Sequence, residues 1–132
     1  MQNFLLAFLS LLFFSACKKT NLPLSIPEGT YIGTFQRLTD TSGQISNVSI
    51  TFIAGKYTGQ SQYAQYPALC NGAYKSIGAD SINFVNACFW TADFDWSLIL
   101  NQNYKLMLSE KKLELTRNYP GQYTDSYKLT KQ

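Results

Sequence analysis

Three sets of side chains in this sequence could do chemistry. Asp93 and Asp95 flank Phe94 and share one strand parity, so two carboxylates stand on the same side of the chain. Such a pair can hydrolyse a glycosidic bond or, joined by further oxygen ligands, hold calcium. No such ligands follow in the adjacent sequence, and capping of a loop is the plainer expectation. Arg117 and Asp125 face each other across the last predicted hairpin, in which Leu115 opposes Tyr127 and Leu113 opposes Leu129. A cross-strand salt bridge near a barrel end is expected; a cationic mouth for an acidic ligand is the alternative, which Asp125 would neutralise. The third set is the cysteines, Cys17, Cys70 and Cys88.

What is missing narrows the chemistry. The 132 residues contain no histidine, the commonest general base and metal ligand. A Ser-His-Asp relay is excluded, and neither a Gly-rich phosphate loop nor metal-spaced cysteines occur. No catalytic residue, metal site or cofactor is therefore expected, and the chain reads as a non-enzyme. The net charge of +3 is small and scattered, with Lys18-Lys19 and Lys111-Lys112 as its densest points. Nucleic-acid binding would require a concentrated basic stripe, so no nucleic-acid partner is expected.

The elements that position these groups follow a period of two from Gly29 onward. Tyr31, Gly33 and Phe35 share one face; so do Val48, Ile50 and Phe52 further along. Similar runs follow, with Tyr57 and Gly59; Tyr74; Ile82 and Phe84; Phe94 to Leu100; Tyr104 to Leu108; Leu113 and Leu115; and Tyr127 and Leu129. Turn-forming clusters separate them, among them Gly78-Ala79-Asp80 and Pro120-Gly121. Short strands at regular spacing predict an all-β fold, a small antiparallel up-and-down β-barrel of about eight strands. Nine runs can be counted, and the short one at Lys56 to Ser61 is the candidate for merging with its predecessor through a bulge at Gly55.

A hairpin centred on Ala79 pairs Ser76 with Ile82 and Tyr74 with Phe84. Continued outward, it brings Cys70 opposite Cys88 and predicts a disulfide, with two buried free thiols as the alternative. The bridge would clamp the bases of two loops at one rim. Gln62 to Leu69 carries Tyr63 and Tyr66, and Phe89 to Asp93 carries Trp90. Rigid aromatic residues on pinned loops suit recognition; plugging of the barrel end is the alternative, and the favoured one for Phe89.

The N-terminus is different in kind. Phe4 to Phe14 is an apolar run of eleven residues, followed by Ser15-Ala16-Cys17. Its length suits a secretory signal rather than a membrane span. The Phe14-Ser15-Ala16-Cys17 ending with Lys18-Lys19 behind it resembles the cleavage and lipid-attachment box of small lipoproteins from Bacteroidota-type bacteria. The resemblance implies that residues 1–16 are a signal peptide and that Cys17 carries a diacylglyceryl group and an N-acyl chain. Residues 17–28 would then be a tether and residues 29–132 the barrel domain. Removing residues 1–16 from 132 leaves 116, enough for one core. The implied location is the outer membrane, facing the periplasm. By architecture alone the barrel is similar to the calycins, the lipocalin and avidin type.

Expected from all this is a monomeric, envelope-anchored binding or inhibitory protein. Its partners would be the membrane, through the anchor, and a protein or glycan at the rim. The alternative is a calycin-like carrier with a small apolar ligand inside the barrel. Asp80-Ser81-Ile82, at a hairpin tip, matches a short O-glycosylation pattern of such bacteria, which makes Ser81 a candidate acceptor; Asn47-Val48-Ser49 matches the N-glycosylation sequon.

Overall fold

Most of the inward positions of the predicted strands are apolar, and a meander of such strands can bury that face by curling closed. The computed structural model, which describes residue 17 and residues 24–40 and 43–132, does so completely. Eight strands form a closed barrel in sequence order: β1 (Gly29–Leu38), β2 (Ile45–Ile53), β3 (Lys56–Ser61), β4 (Asn71–Ser76), β5 (Ser81–Asn86), β6 (Gln102–Ser109), β7 (Lys112–Tyr119) and β8 (Tyr123–Lys131). All neighbours are antiparallel, and β1 closes on β8 from Tyr31 opposite Lys131 to Leu38 opposite Thr124. This is the up-and-down barrel expected from the period of two, and it is consistent with calycin-like architecture.

The expected hairpin registers hold. Tyr74 opposes Phe84 and Ser76 opposes Ile82; Leu115 opposes Tyr127 and Leu113 opposes Leu129. The surplus strand is elsewhere than expected. Lys56–Ser61 is a strand of its own, reached through a tight turn in which Ala54 (φ 49°) and Gly55 (φ 74°) both have positive φ, the requirement of a two-residue hairpin turn. The run that fails is Phe94 to Leu100. Asp95 accepts hydrogen bonds from Ser97 N and Oγ and starts a short 3-10 helix, Trp96–Leu98. Helical bonding satisfies the backbone locally, so the alternation of Trp96, Leu98 and Leu100 never meets a neighbouring strand.

The lumen is filled by side chains. Tyr31, Phe35, Ile50, Phe52, Tyr57, Phe84, Leu106, Leu115 and Tyr127 are all fully buried. Their rings interlock: Phe84 meets Tyr57 at 5.4 Å and Tyr104 at 5.7 Å edge to face, and Phe35 lies tilted against Tyr127 at 4.8 Å. Tyr57 donates its hydroxyl to Leu100 O at 2.9 Å.

The two ends are closed differently. At one, the segment before β1 folds back under the barrel. Ile26 is buried and Leu24 packs against the core; Tyr31 Oη donates to Pro27 O at 2.8 Å, Ser76 Oγ donates to Leu24 O, and Ala54 N donates to Glu28 Oε1 at 2.8 Å. The last five residues of the expected tether therefore belong to the barrel, because Leu24 and Ile26 supply apolar area that this end otherwise lacks. A chain starting at Gly29 is expected to be about 2–5 kcal/mol less stable than one starting at Leu24; urea unfolding of the two measures this.

Burial also sets the alkaline limit. The Tyr57 hydroxyl is pushed up to about 12 by burial, from an ordinary 10.0. Tyr104 and Tyr127 are raised as well, mainly by burial and then by the charges of neighbouring phenols and Asp125. A raised folded pKa stabilises the fold below the unfolded value and loses that contribution as pH rises toward the folded one. Stability is therefore expected to fall above about pH 10. In a titration followed at 295 nm, a subset of tyrosines should ionise only as the barrel unfolds.

Candidate functional site

The other end carries the long connections, residues 62–70 between β3 and β4 and residues 87–101 between β5 and β6. Three devices hold them. The first is the Cys70–Cys88 disulfide, with Cα atoms 6.3 Å apart. The β3–β4–β5 ladder runs outward to it, Gly59 N donating to Cys70 O at 2.7 Å and Ala87 N to Asn71 O at 2.9 Å. The second is a parallel bridge between the loops, in which Ala68 N donates to Leu98 O and Leu100 N to Ala68 O. It seats Ala68, Ile99 and Leu100 over the barrel mouth, where all three are buried.

The third device is polar. Arg37 continues the inward series of Tyr31, Gly33 and Phe35 to the top of β1, directly opposite Asp125 of β8. Its Nε and Nη2 donate to the two Asp125 oxygens at 2.7 and 2.8 Å. Nη1 donates to Asp95 Oδ2 at 2.9 Å and to Ser97 Oγ at 3.0 Å. The Tyr123 ring lies against the guanidinium, 3.8 Å from its carbon to the ring centroid, and Tyr123 Oη donates to Ser97 Oγ. Burial disfavours the Arg37 charge, but the hydrogen bonds and charge of Asp125 outweigh it and raise the pKa. Asp95 is held below its ordinary value, chiefly by the Ser97 hydroxyl, against some desolvation, with Ser97 N and Arg37 adding to the effect.

The expected Arg117–Asp125 salt bridge is thus corrected. Arg117 does oppose Asp125 in the β7–β8 register, but Arg37 opposes it from β1 and takes both carboxylate oxygens in a fork. Arg117 donates instead to Asn101 O at 3.0 Å and Gln102 Oε1 at 2.8 Å, with the Tyr119 ring 4.7 Å away. Arg37 was missed by the sequence reading, although its inward parity was visible; its partner is on the last strand, and only barrel closure brings them together.

Asp93 and Asp95 do not act as a pair. Asp95 is committed to Arg37 and Ser97. Asp93 is exposed, its carboxyl lowered mainly by a hydrogen bond from Thr91. Among the described residues, no cluster of three or more potential metal-binding side chains forms.

The aromatic residues of the rim divide. Tyr66 plugs: its ring packs on Phe35 at 5.3 Å, and its hydroxyl donates to Gln44 O at 3.0 Å. Phe89, expected to plug, is fully exposed at 103%, and the mouth is covered instead by Ala68, Ile99 and Leu100. Tyr63 is exposed and Trp90 half-buried. Trp90 Nε1 donates to Asn86 Oδ1 at 3.2 Å, and Asn86 Nδ2 donates to Cys88 O at 2.8 Å, so the indole is tied to the disulfide corner. Cys17 is a free, exposed cysteine, while the expected signal peptide, residues 1–16, and residues 18–23 of the expected tether lie outside the described residues. Ser81 begins β5, half-buried.

The chain was compared with protein families, curated proteins and solved structures, and it matches none of them.

Arg37 is 11% exposed and Asp125 1%. Arg37→Ala strands a buried carboxylate and is expected to cost about 3–5 kcal/mol, whereas Arg37→Met with Asp125→Leu should recover most of the loss. Chemical denaturation of the single and double variants measures both.

Proposed function

We propose that this chain is an envelope-anchored lipoprotein that binds a partner at its aromatic loop rim and performs no chemistry of its own. The observation carrying the reading is the way the rim is held. The disulfide, Asn86 and the Arg37 network fix Trp90 and Trp96 in place while Phe89, Trp96 and Tyr63 stay in solvent. Fixed rings lose little entropy when a partner arrives. Exposed aromatic clusters on a small domain mark contact surfaces more often than accidents of packing. The carboxylates that could have served catalysis are either spent on structure or stand alone. The filled lumen argues against a carrier.

The anchoring half of the proposal rests on the resemblance at Phe14 to Cys17. Two or more acyl chains at Cys17 would hold the barrel at a membrane stably, which a single chain does not. The tether would then run from Cys17 to about residue 23, where the barrel begins.

Both halves can be tested on the protein expressed in a bacterial envelope. The mature chain should begin at Cys17 with lipid mass attached, and Cys17→Ser should release it from the membrane fraction. Capture of a partner from envelope extract should be lost with Trp90→Ala. Retention of every partner by that variant would remove the rim from the proposal.

A further inference from the structure

Two open hollows share Trp90 as a common wall. One, of about 340 Å³, is lined on its other side by Tyr63, Gln65, Pro67 and Leu69. The second, of about 460 Å³, is lined by Phe89, Trp96, Ile99 and the amides Asn86, Asn101 and Gln102. None of the residues lining either hollow is charged. Phe89 is 103%, Trp96 57% and Tyr63 40% exposed.

These linings select a ligand by chemistry. An anionic group would need a cation in the wall, and a cationic one a carboxylate. A lipid chain would need an enclosed apolar slot, and both hollows are open. A neutral sugar ring fits each feature present. One of its faces is a sheet of C–H bonds, which meets the electron-rich face of an aromatic ring favourably. Its edge is hydroxyl groups, to which the amide nitrogens of Asn101 and Gln102 can donate while their oxygens accept from Asn86 N and Arg117.

Trp90 lines both hollows, so a ligand of more than one sugar unit can contact the two together. We propose that the rim binds a neutral oligosaccharide, with sugar rings stacked against Tyr63 and Trp90 on one side and Phe89 and Trp96 on the other. This rests on the reading of the rim as a recognition surface and names its ligand class. The site is built before the ligand arrives. Trp90 Nε1 is bonded to Asn86 and Trp96 Nε1 to Thr91 O at 2.9 Å. Trp96 also opens the 3-10 helix whose cap, Asp95, is gripped by Arg37.

The test titrates the full-length protein, purified from membranes in a detergent without a sugar headgroup, with cellohexaose, maltohexaose, xylohexaose and chitohexaose. Binding is read by calorimetry and by indole fluorescence. At least one of these should bind. Phe89→Ala and Trp96→Ala should each weaken it about tenfold or more; Phe89→Ala should also leave the thermal unfolding curve in place, since that ring is fully exposed. Binding that neither variant changes overturns the site, and failure of all four sugars overturns the ligand class. If the sugars fail but Trp90→Ala still abolishes capture from envelope extract, the recognition surface stands with a protein as its partner. If that capture is also unaffected, both readings fall. A dimer that Phe89→Ala converts to monomer, with no sugar bound, would make the rim a contact between copies of this chain and equally overturn the proposal.

Discussion

The Arg37–Asp125 ion pair lies on the one pairing in this barrel that joins residues distant in sequence. Seven of the eight strand pairings link consecutive strands and need only a turn or loop. The eighth joins β1 to β8 across most of the chain, and the pair sits near its upper end with a sequence separation of 88. Closure requires close backbone approach as well. At Gly33, a Cβ would lie 1.9 Å from Lys128 O, so only glycine fits that part of the seam. A forked pair at one level and a glycine contact at another specify the register in which the ends meet, and a one-residue slip would turn every core side chain of β8 outward.

The same guanidinium does a second job. With two donors on Asp125, its Nη1 reaches up to Asp95, the N-cap of the 3-10 helix in the long β5–β6 loop, and to Ser97 within that helix. The loop is thereby tied to the seam on one side and to the disulfide on the other. A cross-link spanning 18 residues contributes about 3 kcal/mol by restricting the unfolded chain. Asp95 is largely exposed, and its bond to Arg37 contributes little energy by itself. Its effect is positional: it decides where Trp96 stands.

The result is a barrel with a packed interior and with exposed aromatic rings at one end. Interlocked tyrosines and phenylalanines fill the lumen, Leu24 and Ile26 close one mouth, and Ala68, Ile99 and Leu100 close the other. With both mouths covered, Phe89 and Trp96 stand in solvent outside the covered end.

Much of this was legible in the sequence. Strict alternation from Gly29 on determined an all-β meander, because a period of two can bury only one face of a strand. Local hairpins such as Ser76 opposite Ile82 could be read off turn positions, and the same counting reached the cysteine pair. Three things were decided only in three dimensions. Asp125 had an arginine in register on each side, and which one it would bond depended on closure by β1, a contact no local pattern records. The run from Phe94 to Leu100 alternated like a strand, but a capping aspartate turned it into a helical lid. Phe89, expected to plug, stands in solvent, and Tyr66, open between plugging and recognition, plugs, because space at the barrel mouth was taken by Ile99 and Leu100 once the loops met. Alternation reports which way a residue faces within its own strand; what it meets there depends on partners that only folding brings within reach.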